Sequence, residues 1–231
     1  MISVRVKEER LKGFKVIGRS GEFVPEERPI PDELLNDSYP YSYTKSDPGT
    51  YLLFLMPQAL RELDEHIHWN KSDDENMIEQ AGYMVGNVYK DPATGKLYAV
   101  AEHMVPARDT NSSFVHVIIG HDSNIDATNR EMKLIEQSEG KLRRVGWYHT
   151  HPAFLNVFMS VTDAQTQKKD YFNDWQFALV LNPQALEWRA FHGGDVKEAS
   201  CIFVVPEGEQ YGDVAKFRTS SDDSVLKELR K

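Results

Sequence analysis

The stretch Gly146–Asp163 reads GWYHTHPAFLNVFMSVTD: two histidines one residue apart, a proline, then a serine and an aspartate spaced by two residues. On an extended segment, side chains at i and i+2 project to the same face. His149 and His151 therefore present their imidazoles together, as a shared metal ion requires, and Asp163 supplies an oxygen as third ligand. Two nitrogens, one carboxylate and an open position form the pattern of a catalytic zinc, whereas a structural zinc is normally closed by four protein ligands. Cysteine cannot complete such a set, because Cys201 is the only one in the chain. His-x-His on a strand often binds nothing. Here Pro152, which releases the chain from a sheet into a loop, and the following Ser160 and Asp163 favour the metal. Asp163-Ala164-Gln165-Thr166-Gln167 reads as the first turn of a helix, with Thr162 or Asp163 near its cap.

Outward from this stretch, the patterning alternates strands and helices. YLLFLM from Tyr51 reads as a buried strand, and Pro57 opens a helix on which Leu60, Leu63 and Ile67 recur at helical spacing. GYMVGNVY and KLYAVAEHMV read as strands joined by a turn containing Asp91-Pro92 and Gly95. VHVIIG is a further strand, and ATNREMKLIEQSEG a helix with Met132 and Ile135 on its inner side, ending at Gly140. RRVGWYHTH carries the histidines, and QFALVLN, EWRAFHG and SCIFVVP complete an α/β arrangement. Before this, ISVRV and FKVIG suggest a short two-stranded element. Five prolines among residues 19–49 argue against regular structure there, and YPYSY offers aromatics to dock on the domain. The expected organisation is an N-terminal extension over 1–49, a catalytic domain over 50–206 and a polar C-terminal tail over 207–231, with VLKELRK a candidate terminal helical turn.

The motif resembles that of the JAMM, or MPN-plus, zinc metallopeptidases, written His-x-His-Pro, a short gap, then Ser-x-x-Asp. That family also has a distant glutamate shortly before a Gly-rich strand, and Glu79 in EQAGYMVG falls on it. DAQTQ and the apolar strand ending in Asn182-Pro183 resemble the family as well, so the similarity covers roughly residues 50 to 205. One departure stands out: seven residues, AFLNVFM, separate Pro152 from Ser160, where the family usually has six. An extra loop residue has little entropic consequence, so the ligands still converge. The resemblance implies a single MPN/JAB-like α/β domain, a central mixed, curved β-sheet flanked by helices. It also implies one zinc ion held by His149, His151 and Asp163. Glu79 would take up the proton of the attacking water, and Ser160 would steady the oxygen that becomes negative. Glu102 is the alternative base. The implied activity is hydrolysis of the bond after the C-terminal glycine of ubiquitin or a ubiquitin-like protein, in deconjugation or precursor processing. Such conjugates are the implied partners, with activating and conjugating enzymes of the same pathway beside them. Two alternatives remain open: a metal-free MPN-like scaffold in a protein complex, and a zinc hydrolase acting in sulfur-carrier metabolism or antiviral conjugation.

Other features bound the reading. His66 and His68 form a second His-x-His, but on a helix two residues amount to about 200° of rotation, so their rings diverge. His103, His116, His121 and His192 have no companion at ligand spacing and read as ordinary histidines. Cys201 lies in an apolar run and reads as a buried, inert thiol, and a lone cysteine suits a reducing compartment. The 231 residues carry a net charge of −9 without a basic stripe, which argues against nucleic acid. No run approaches the length of a membrane span, and MISVRVKEERLKG lacks the apolar core of a signal peptide, so a cytoplasmic protein is expected. The apolar loop Phe154, Leu155, Val157, Phe158 and Met159 either packs under the sheet or lines a cleft. A substrate tail in that cleft would pair along a strand edge, and ARDTNSSF is a second candidate rim.

Overall fold

The computed structural model describes residues 23–36, 38–39, 51–67, 79–107, 111–113, 116–118, 121–152 and 154–206. Two short strands and a helix come first: β1 (Glu26–Glu27), α1 (Asp32–Asn36) and β2 (Ser38–Tyr39). Then follow β3 (Tyr51–Leu55), α2 (Pro57–His66), β4 (Ala81–Lys90), β5 (Leu97–Ala107) and the small hairpin of β6 (Asn111–Ser113) and β7 (His116–Ile118). The helix α3 (His121–Gln137) leads into β8 (Arg143–Thr150). After it come α4 (Val161–Asp170), β9 (Phe177–Asn182), β10 (Glu187–His192) and β11 (Lys197–Val204).

The pairings close on themselves. Running β4-β5-β3-β11-β10-β9-β8 and back through the β4–β8 pair, seven strands form a mixed, curved sheet joined into a ring, with β1 and β2 appended. Pairs β3–β5, β3–β11 and β8–β9 are parallel, and the other four pairs of the ring are antiparallel. Both faces are covered, so β9 reads FALVLN without a polar residue before Asn182 and is buried throughout. Phe177, Leu179 and Leu181 face a cluster that includes Leu60 and Leu63 of α2. Ala178 and Val180 face another that includes Ala127 of α3 and Val157 of the loop before α4. Two register shifts, one at Met84/Val85 against β8 and one at Val85/Gly86 against β5, bend the strands as bulges do.

Three readings need correction. Residues 19–49 are not devoid of regular structure: α1 forms directly after Pro31 with Asp32 and Glu33 in its first turn. Leu34 and Leu35 bury against Leu52, Phe54, Tyr98 and Ile202, worth about 1.5–3 kcal/mol each. That burial, not intrinsic propensity, supports a helix of five residues. Second, α3 starts at His121 rather than near Ala127, and its inner face is Ala127, Glu131 and Leu134. Met132 is 54% exposed. A buried acid holds the inner position because Arg144 of β8 bonds both Glu131 oxygens. Third, α4 begins at Val161 with Ser160 as its cap. The proposed strands ISVRV and FKVIG, Tyr41 and Tyr43 of YPYSY, His68 and the terminal stretch 207–231 lie outside the described residues.

Pro57 stands at the start of α2, and Leu60, Leu63 and Ile67 are buried as the periodicity predicts. Cys201 is fully buried, and burial pushes its thiol well up from the ordinary value. No helix among the described residues is long and apolar enough to cross a membrane.

Candidate metal centre

On β8 the side chains of Trp147 and His149 stack on the face that carries α4, while Tyr148 turns to the opposite cluster. The strand ends where His151 N–H donates to Leu181 O at 2.7 Å and Pro152 begins the loop. That loop is tied down from beneath. Asn182 Nδ2 donates to the carbonyls of Pro152 (3.3 Å) and Leu155 (2.8 Å), and Arg189 Nη1 donates to Val157 O at 3.2 Å. The longer loop thus has a defined path. Val157 packs into the core with Met159 against the same cluster, as the first of the two expected courses has it, whereas Phe154 and Phe158 stay exposed.

A capping box then launches α4. Ser160 Oγ accepts the Asp163 N–H at 3.2 Å, and Asp163 Oδ2 accepts the Ser160 N–H at 2.8 Å. The spacing Ser-x-x-Asp carries this signal in the sequence. The same Asp163 Oδ2 lies 3.4 Å from His149 Nε2 and 4.0 Å from His151 Nε2. The two Nε2 atoms are 3.3 Å apart. His149, His151 and Asp163 therefore offer one donor each, all within 4.8 Å of one another.

This spacing fits zinc. Tetrahedral ligands at about 2.0–2.1 Å from the ion stand about 3.3–3.4 Å from one another. His151 Nδ1 donates to Asn156 O at 2.7 Å, which fixes the tautomer and leaves the Nε2 lone pair facing the cluster. Burial, then the charge of His149, lowers the His151 pKa against the opposing pull of Asn156 and Asp163, so this imidazole is neutral near pH 7. Burial alone would raise the Asp163 carboxyl. The hydrogen bond and charge of His149, with Ser160 behind them, instead hold it well below the usual carboxylate range. A neutral imidazole and an ionised carboxylate are the forms a divalent cation binds.

The β4–β8 ladder locates Glu79. Ala81 is level with His149, and Thr150 N–H donates to Gln80 O at 2.8 Å. Glu79 directly precedes Gln80, just beyond the end of the ladder at which Ala81 pairs with His149. Glu79 is 4% exposed. Gln80 pins this strand entry through its N–H to Thr150 Oγ1 (2.9 Å) and its Nε2 to His66 O (2.6 Å). Glu102, the alternative base, lies about 17 Å along β5 from Ala107, the residue level with Ala81. It lines a separate groove with Arg28, Met56, Arg61 and Tyr98. His66 hydrogen-bonds Tyr148 Oη at 2.9 Å, His103 pairs with Glu62 at 3.0 Å, and His192 stacks on Tyr51; none joins the cluster. Trp147, Gln167 and the Asn156 carbonyl surround the ligands without any spacing rule that would have singled them out.

A closed mixed barrel with a two-imidazole, one-carboxylate corner between a strand and a helix cap defines a domain equipped to hold a divalent cation. Residues 57–171 match the family model described as JAB1/Mov34/MPN/PAD-1 ubiquitin protease, and the chain belongs to that family. No curated protein matches the chain.

Proposed function

We propose that this chain is a zinc-dependent peptidase that hydrolyses the bond after the C-terminal glycine of a ubiquitin-like protein, from a conjugate or a precursor. The observation that carries the reading is the convergence of His149 Nε2, His151 Nε2 and the Asp163 carboxylate within 4.8 Å. Zinc bound there would lower the pKa of a water molecule from about 15.7 toward roughly 7 and polarise the scissile carbonyl. Glu79 would accept the proton of that water and return it to the departing amine. Ser160 spends its oxygen on the Asp163 N–H, which leaves its own O–H hydrogen to donate to the carbonyl oxygen as charge develops. The exposed rings of Phe154 and Phe158 would form an apolar rim for the substrate tail. The setting would be a reducing compartment such as the cytoplasm, in company with the enzymes that activate and attach the modifier.

The test is to incubate purified protein with a panel of ubiquitin-like fusions, sulfur-carrier fusions among them, with and without chelator. One bound zinc per chain and chelator-sensitive cleavage are expected, with Glu79→Gln inactive but folded and still zinc-bound. His149→Ala is expected to weaken zinc by tenfold or more, beyond the effect of losing a group behind a ligand. Full cleavage by Glu79→Gln would remove that residue from the mechanism. A wild-type chain that binds no zinc would leave the scaffold reading.

A further inference from the structure

The two imidazoles are held by different means. His151 is fixed through its Nδ1 by the Asn156 carbonyl. His149 Nδ1 is buried and has no hydrogen-bond partner among the described residues. A ligand histidine ordinarily takes its orientation from the bond its other nitrogen makes, so something else must set this ring. The Trp147 indole lies against it, with ring centroids 4.7 Å apart and planes only 11° from parallel. Trp147 in turn is clamped: its Nε1–H donates to Gln167 Oε1 at 2.8 Å. Gln167 is fully buried, and its Nε2 donates to Tyr171 O (2.9 Å) and Gln176 O (3.0 Å). An indole N–H can only donate and a carbonyl can only accept, so one orientation of this amide satisfies all three bonds. Gln167 also lies four residues after Asp163, on the same face of α4 one turn further along.

We propose that Trp147 and Gln167 are positioning residues for the metal centre, through which α4 sets the plane of the His149 ring while presenting Asp163 to the same ion. The assignment rests on reading His149, His151 and Asp163 as metal ligands. One helix then delivers a ligand directly and orients a second through the indole, so the three donors keep their spacing as a unit.

Three variants test it: Gln167→Met, which keeps volume and removes the amide; Trp147→Phe, which keeps a ring face and removes the N–H; and the double variant. Zinc affinity is measured by chelator competition, ligand geometry by the visible spectrum of the cobalt(II)-substituted protein, and folding of the metal-free form by denaturant unfolding. Each single variant is expected to bind zinc about tenfold more weakly, with an altered cobalt spectrum. The double variant is expected to match the weaker single one, because both changes delete the same bond. If metal-free stability falls while affinity and cobalt spectrum of the folded protein stay at wild type, the two residues are merely structural and the proposal fails. Should Gln167→Met not fold, Trp147→Phe alone decides: unchanged affinity overturns the assignment. A wild-type chain that binds no zinc would defeat the metal-centre reading itself, which is a distinct result.

Discussion

The Asp163 carboxylate is shared between two tasks, because the oxygen that accepts the Ser160 N–H is the one beside His149 Nε2. Stability and metal affinity are therefore coupled at the start of α4. Ser160→Ala removes the acceptor of the Asp163 N–H, and loss of such a cap destabilises a protein by about 1 kcal/mol. It also frees the backbone that aims the carboxylate. Denaturant unfolding of the metal-free variant is expected to show that loss, and chelator competition a weaker zinc site. Wild-type affinity would mean that the carboxylate is aimed without the cap. At this scale the sequence is legible where chemistry depends on short spacing. His149 and His151 share a face because a strand repeats every second residue, and Ser160 and Asp163 meet because a capping box spans three. Thr162 and Asp163 are poor guesses for the cap only because Ser160 doubles as part of the motif. Trp147 and Gln167 are twenty residues apart, and nothing local in either neighbourhood says that an indole will find that amide.

Helix α2 is joined to β5 by one acid. Glu62 accepts from the Met104 N–H and pairs with His103 Nδ1 at 3.0 Å, next to the register shift that skips Glu102 on β5. Burial opposes the Glu62 charge, but the bonds from His103, Gln58 and Met104 lower its pKa on balance. The bond to Glu62 raises the His103 pKa against burial. The signs fix a window. The contribution of Glu62 is complete above its unfolded value near 4.5 and is lost as pH falls through the lowered folded value. That of His103 is complete below its unfolded value near 6.5 and is lost as pH rises through the raised folded value. The pair is thus worth most between about 4.5 and 6.5. The stability difference between wild type and His103→Gln, followed by thermal unfolding, is expected to shrink as pH rises from 6 to 9. A difference independent of pH would show that His103 contributes by packing alone. Strand β8 makes a sterically sharper prediction. A Cβ on Gly146 would stand 2.1 Å from Phe177 O and 2.7 Å from Met84 Cε. Gly146→Ala must push β8 away from β9, at a cost of about 3 kcal/mol, and denaturant unfolding that shows less than 1 kcal/mol would mean the strands yield freely. Neither contact is legible beforehand, since each depends on which strands become neighbours.

Across the molecule, the alternation of apolar strands and amphipathic helices is enough to read an α/β domain, yet the ring is not in that pattern. Closure depends on β4 pairing with both β5 and β8, and on bulges that bend those strands. Those pairings join residues far apart in the chain. Glu131 misleads for a related reason: an acid on the inner face of α3 is sensible only once Arg144 arrives from β8. The way the core is built also bears on the metal. The three apolar clusters draw their side chains from the strands of the ring, from α1, α2 and α3 and from the loop before α4. The protein should therefore fold without zinc, unlike a small domain whose folding free energy is mostly metal binding. Zinc should still stabilise it by linkage, by about 4.1 kcal/mol at a free concentration a thousand times the dissociation constant. For a chain of this size that corresponds to about 8–16 °C in Tm, at about 2–4 °C per kcal/mol. Thermal unfolding with zinc and with chelator is expected to differ by such an interval in wild type and in Glu79→Gln, and by less in His149→Ala, where a site at least tenfold weaker leaves about 2.7 kcal/mol or below at the same free zinc. Outright unfolding by chelator at room temperature would make the metal a structural element. Equal shifts in wild type and His149→Ala would place the stabilising zinc somewhere other than this corner of the barrel.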